Sequence, residues 1–179
     1  MKTLVLNLFG GPDAGKSTSM AAIFAMLKIQ QISCEMAPEF AKDKVWEGSS
    51  HVLDNQIYVF GKQHHRIARL NGKVGVIICD SPLLNSILYY RGDNPHFPPA
   101  VFAEFNKYQN LNVVLARPDR PYDPSGRLQT EEQAKHLDTQ VVRILDFLKQ
   151  EYHVFPLGPT SHQQIAEFAI DAYRLLNDS

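Results

Sequence analysis

Residues 10–18 read GGPDAGKST, Gly10 to Thr18, and the rest of the chain is organised around them. The stretch follows an apolar run, Leu4-Val5-Leu6-Asn7-Leu8-Phe9, and precedes an amphipathic segment that begins near Ser19. A strand, a glycine-rich loop and a helix in that order are what a phosphate-binding loop requires. The spacing is complete, with four residues between Gly10 and Gly15, then Lys16 and Ser17. Glycines let the backbone curl so that successive N–H groups point at phosphate oxygens. The helix that starts there adds the partial positive charge of its N-terminus. Gly11, Asp13, Ala14, Gly15, Lys16, Ser17 and Thr18 are therefore the predicted nucleotide contacts. Lys16 can reach the β- and γ-phosphates, and the Ser17 hydroxyl can ligate Mg²⁺. The expected ligand is a nucleoside triphosphate, ATP with Mg²⁺.

The chain has 179 residues, about one domain by length, read here as one unit over 1–179 with a lid at about 117–129. A 44% hydrophobic and 21% charged composition places it among ordinary globular chains rather than disordered ones. A net charge of −1 gives no global attraction to nucleic acid or an anionic membrane, so phosphate recognition must be local. No apolar run approaches a membrane span. Met1-Lys2-Thr3 leads straight into the first strand without room for a signal peptide, and the expected location is cytoplasmic. Cys34 and Cys79 fall in expected buried strands, where cysteine acts as a small apolar residue. The seven histidines show no metal-ligand spacing.

Further along, a short strand at 32–37 leads to Pro38-Glu39-Phe40, which puts Glu39 at the C-terminal edge of a sheet. A short helix and loop over 40–50 precede a long helix expected from His51 to Leu70. Val74 to Cys79 reads as a central parallel strand ending in Asp80. Helices are expected from Ser81-Pro82 to about Tyr90 and near 100–109, then a strand at 112–116. The stretch RPDRPYDPSGRLQ, residues 117–129, is a loop by its three prolines and glycine. Thr130 and Gln133 form a capping-box pattern that opens a long helix. A strand at 152–156, a turn at Leu157-Gly158-Pro159 and a helix over 160–177 complete the chain. Alternating strands and helices predict a three-layer α/β domain with a five-stranded, mainly parallel sheet in the P-loop NTPase topology.

Asp80 is the second anchor: a strand ending in an acid places a carboxylate beside the Mg²⁺ that Ser17 would hold. Alone, that pattern is as well explained by Asp capping the next helix. Glu39 is the candidate base for an acceptor hydroxyl. Arg117, Arg120 and Arg127 share one loop and suit a hinged lid over a transferring phosphoryl group. Phe40, Trp46 and Tyr122 are candidates to stack on a ring, and Gln56 and Gln63 to read a base or amide edge.

The order of these segments, P-loop, Glu39-Phe40-Ala41, a glutamine-bearing helix, Val76-Ile77-Ile78-Cys79-Asp80-Ser81-Pro82 and an arginine lid, resembles the NadR-type nicotinamide riboside kinase domain and its phage-encoded AAA-like relatives. It is similar, more distantly, to the deoxyribonucleoside kinases. In NadR-type kinases the second strand ends in an acid before a Tyr/Phe-Ala pair, as at Glu39-Phe40-Ala41, and the central strand ends in Asp before a small hydroxyl residue, as at Asp80-Ser81. Their lid resembles Pro121 to Arg127, with Tyr122 standing where the family has Trp. Deoxyribonucleoside kinases carry Glu-Arg-Ser where this chain has Asp80-Ser81-Pro82. The resemblance implies transfer of a γ-phosphate to a nucleoside-type small molecule such as nicotinamide riboside, and sets Gly158 against the adenine. The alternatives are a nucleoside monophosphate kinase using Arg66, Arg69 or Arg91, and a P-loop ATPase or nucleic-acid kinase. The absence of a basic stripe counts against nucleic acid. A GTPase would need Asn-Lys-x-Asp, and Asn106-Lys107-Tyr108-Gln109 lacks the acid. An oligomer is as compatible with the sequence as a monomer.

Overall fold

The computed structural model describes residues 2–158 and 160–178. Five strands, β1 (Leu4–Phe9), β2 (Cys34–Ala37), β3 (Val76–Cys79), β4 (Gln109–Ala116) and β5 (His153–Pro156), form one sheet in the order β2-β3-β1-β4-β5. Every pairing is parallel. Each crossover therefore needs a helix. The crossovers carry α1 (Lys16–Ile29), α2 (Phe40–Trp46), α3 (Gln56–Ala68), α4 (Asn85–Tyr89), α5 (Phe97–Phe105) and α6 (Glu131–Phe147), and α7 (Ser161–Asn177) follows the last strand.

All six residues of β1 are buried, as a central strand covered on both sides must be. Successive side chains point to opposite faces, so β1 feeds two cores. Leu4, Leu6 and Leu8 join Val76, Ile78, Val113 and Leu115 under α1 and α7, which contribute Ile23, Leu27, Ile165 and Ile170. Val5 and Phe9 join Ile77, Cys79 and Val114 under α3, α5 and α6, with Ile67, Val101, Phe105, Val141 and Leu145. The result is the three-layer arrangement read from the sequence. Asn7 shares the second face, and its amide donates to Asn110 Oδ1 at 2.9 Å and Asn112 Oδ1 at 3.1 Å. Strand β4 begins at Gln109, which pairs with Leu4, three residues before the expected start.

Three further boundaries differ from expectation. The helix expected over 51–70 is two pieces, a 3-10 helix at Ser50–Asp54 and then α3. Asn55 separates them because its side-chain oxygen accepts the Tyr58 N–H at 3.1 Å and caps α3. The segment after Asp80 turns through Pro82 and Leu83 before α4 begins at Asn85. Helix α5 begins earlier than expected, with prolines in its first turn where a missing N–H costs nothing. Pro159 of the expected turn lies outside the described residues. Among the described residues no helix is long and apolar enough to cross a membrane, and Cys34 and Cys79 are both buried and free.

The capping box at α6 is formed in both directions, Gln133 N–H to Thr130 Oγ1 at 3.3 Å and Thr130 N–H to Gln133 Oε1 at 2.9 Å. Thr130→Ala should cost about 1 kcal/mol and lower Tm by roughly 2–4 °C in a thermal melt. An unchanged melt would show that the cap contributes nothing.

The strand order reverses beside β1: the chain reaches β3 on one side and then crosses to β4 on the other. Ligands bind at such a switch point, outside the C-terminal strand ends. Asn7 pairs in register with Cys79. The loop after β1 and the acid after β3 therefore emerge side by side.

Candidate active site

Gly15 is the N-cap of α1, at φ 83 with no side-chain cap on the first-turn N–H groups. A side chain there would be strained, and its Cβ would lie 2.4 Å from Leu157 Cδ1. The N–H groups of the first turn are thus left for an anion. Lys16 Nζ donates to Gly10 O at 2.7 Å and Gly11 O at 2.8 Å, folded over its own loop. Burial pushes its pKa below 10.5, against the pull of Glu39, Asp80 and Asp138.

Asp80 is buried at the end of β3, and its Oδ2 accepts the Ser17 hydroxyl at 2.8 Å. It does not act as a helix cap. Its other oxygen, Oδ1, is buried without a hydrogen-bond partner among the described residues. Burial raises the Asp80 pKa above 3.8, with the Ser17 hydrogen bond and Lys16 opposing. A hydroxyl, a carboxylate and an orphaned oxygen fit Mg²⁺, which takes one or two protein oxygens and completes its shell with phosphate and water. No group of three or more His, Cys, Asp or Glu gathers elsewhere among the described residues to hold a metal.

Glu39 sits at the N-cap position of α2 but makes no capping bond, and its side chain lines the cavity instead. Burial raises its pKa above 4.5; Lys16, Lys42 and Arg127 oppose the rise, while Asp80 adds to it. The cavity has a volume of about 620 Å³, within the range of small-molecule sites. Gly15, Lys16, Ser17 and Thr18 form one end, and Ala41, Lys42, Val45, Leu53, Gln56 and Val59 of the β2–α3 region form a wall.

The three arginines of the 117–129 loop separate. Arg117 Nε donates to Asp138 Oδ2 at 2.7 Å, and its NH2 to Pro12 O at 2.8 Å. Asp138 Oδ1 also takes the Gly11 N–H at 2.6 Å. Arg117 is therefore bound to the backbone of the phosphate loop and is not among the residues lining the cavity. Arg120 and Arg127 do line it, each paired with Asp13.

The family model described as an AAA domain matches residues 5–164. The chain belongs to this AAA domain family. No curated protein matches the sequence significantly. A shikimate kinase from Acinetobacter baumannii, solved with shikimate, is similar in fold at TM-score 0.54 and 13% identity, over 98% of this chain and 93% of that one. A NadR protein solved with NAD and AMP-PNP is similar at TM-score 0.64 and 14% identity. That likeness covers 99% of this chain and 50% of NadR, so the chain spans half of NadR's length. The fold is the P-loop NTPase fold, and the sequence resemblance to the NadR-type domain has its counterpart here.

In this AAA domain the other predicted contacts divide by what their polar atoms already bind. Gln63 lines the cavity, but its Oε1 accepts the Phe40 N–H at 3.0 Å and its amide nitrogen faces Ala37 O at 3.5 Å. Gln56 also lines it, with its amide nitrogen on Leu53 O at 2.7 Å. Phe40 is buried, its ring edge-on to Tyr58, and Tyr122 donates its hydroxyl to Gln129 O at 2.8 Å; neither lines the cavity. Trp46 is 66% exposed and also lies off the lining. Gly11 and Ala14 are buried within the loop, and Gly158 binds Ser161 Oγ at 2.7 Å through its N–H; none of the three lines the cavity. Asp13 and Thr18 do line it. Arg66 pairs with Asp43, and Arg69 is exposed elsewhere. Sequence reasoning missed Asp138, Lys42, Asn85 and Tyr89. Asn85 lines the cavity, and its Oδ1 is buried without a partner among the described residues; Asp80, behind Ser17, does not line it. Burial raises the Tyr89 phenol, and nearby Glu39 adds to the rise.

Proposed function

We propose that this protein is an ATP- and Mg²⁺-dependent phosphotransferase that passes the γ-phosphoryl group to a hydroxyl of a nucleoside-type small molecule. The observation that carries this reading is one cavity holding Lys16 and Ser17 at one end, Glu39 beside them, and Arg120 and Arg127 of the proposed lid. An ATPase needs only room for water beside the phosphate; an acceptor-sized wall running from Ala41 to Val59 favours transfer.

Lys16 would leave the Gly10 and Gly11 carbonyls for the β- and γ-phosphate oxygens. Mg²⁺ held by Ser17 and Asp80 would supply neutralising charge to those oxygens. Glu39 would accept the proton of the attacking hydroxyl as the oxygen–phosphorus bond forms and ADP departs. Arg120, Arg127 and Lys42 would balance negative charge on the phosphoryl oxygens in flight. Asn85 Oδ1 would orient a donor on the acceptor, and Tyr89 would flank it.

A nucleoside monophosphate acceptor is the second reading, favoured by Arg91 and Lys42 in the lining. The test is acceptor-dependent ADP formation with Mg·ATP, using nicotinamide riboside, common nucleosides and their monophosphates, with Lys16→Ala as control. Stimulation by one acceptor, lost in the control, supports transfer and names its class. ADP formation indifferent to every acceptor overturns it in favour of an ATPase.

A further inference from the structure

Resting on that reading, we propose that Asp13 is a positioning residue for phosphoryl transfer, its buried carboxylate fixing Arg120 and Arg127 of the lid over the phosphate-binding loop. A carboxylate is a costly neighbour for a triphosphate, since like charges a few ångströms apart repel strongly away from water. Here the Asp13 side chain is only 4% exposed, where an unpaired acid would be more costly still.

Its surroundings explain its place. Asp13 Oδ1 accepts Arg120 NH2 at 2.9 Å and lies 3.1 Å from Arg127 NH2. Oδ2 accepts the Asp123 N–H at 3.2 Å. One acid thus gathers two guanidinium groups and a main-chain donor, and the Asp123 carboxylate, 3.4 Å from Arg127 NH1, completes a cluster of two positive and two negative groups. Each guanidinium has five donors. Arg127 also binds the Asp123 and Ser125 carbonyls through NH1, which curls the loop around it.

The rest of the lid has few other holds on the loop beneath. Arg117 ties only its first residue, to Asp138 and Pro12. Gly126 rests on Trp46, where an added Cβ would come within 2.8 Å of the indole. Asp13 is the described residue that joins the middle of the lid to the phosphate loop. At φ 63 it occupies a conformation that Asn also tolerates. Asp13→Asn therefore removes the charge without straining the backbone.

Two measurements on the full chain test the proposal. The first is limited trypsin digestion without ligand. Arg117 and Arg120 both precede proline, so Arg127–Leu128 is the arginine bond in the lid open to trypsin. Asp13→Asn should speed cleavage there several-fold, with Asp119→Asn, an exposed lid residue, as the neutral comparison. The second is steady-state turnover with the acceptor that the panel identifies. Asp13→Asn should lower kcat by about 10–100-fold and leave KM for ATP within roughly threefold, the signature of a lost transition-state contact. A purely structural ion pair would lower Tm and leave kcat alone. Unchanged cleavage, or a kcat within about twofold of the parent, overturns the proposal. If no acceptor is turned over, the function reading fails by itself, and unchanged trypsin cleavage still overturns the Asp13 tether independently.

Discussion

Glu39→Gln is expected to lower kcat by about 10²–10⁴-fold, the usual worth of a positioned general base, with little change in ATP affinity. The side chain keeps its size and its place at the start of α2. It loses only the ability to take a proton from the acceptor. Burial raises the Glu39 pKa above 4.5, so the acid limb of kcat/KM in the parent should lie above that value and be absent from the residual activity of the variant. Single-turnover kinetics with Mg·ATP and saturating acceptor measure the chemical step directly. Turnover equal to that of the parent would remove Glu39 from the mechanism.

Asp80→Asn should reduce turnover by about 10²–10³-fold and raise the Mg²⁺ concentration needed for half-maximal activity. It should also stabilise the ligand-free fold. The Asp80 pKa is raised above 3.8 by burial, so the folded state prefers the protonated acid. The stability linked to that proton is complete below 3.8 and is lost as pH rises through the folded-state value. At pH 8 the parent carries a buried carboxylate with one orphaned oxygen, whereas Asn is neutral and can still accept the Ser17 hydroxyl. Tm of the variant should therefore exceed that of the parent at pH 8. The gap should close as pH falls towards 4. A variant that melts lower than the parent at pH 8 would refute the burial argument. Activity obtained at the expense of stability is common at functional sites.

What could be read from the sequence was local. GGPDAGKST, the acid after an apolar strand and the Thr130–Gln133 box are spacings of a few residues, and each lies where its spacing implied. The break at Asn55 was legible too, because Asn is a favoured cap, but the apolar members on either side suggested one continuous helix. The three arginines could not be ranked by composition, since what separates them is a contact with Asp138 some twenty residues on. Asp138 itself left a trace. It lies four residues after Ala134 on the buried side of α6, beside Leu137, and a charge on an inward helical face needs a partner. Lys42 likewise follows Glu39 by three residues, on the same face of α2. Gln63 shows what residue type alone leaves out: it suggested reading a ligand, and Gln63 lines the cavity, but its Oε1 already accepts the Phe40 N–H.

The cavity is assembled from two unlike kinds of chain. Its phosphate end is the loop after β1 and the first turn of α1, both anchored on strand β1, which feeds both cores. Its opposite wall belongs to α2, a five-residue 3-10 helix and the start of α3. Those pieces are short and partly exposed, and Gln63 of α3 ties them to the ends of β2 and β3. The phosphate end is thus tied to folding, while the wall proposed to hold the acceptor is built from shorter, more exposed pieces. If the proposed transfer holds, exchange of residues 41–59 would change which acceptor fits while leaving the phosphate-binding loop untouched.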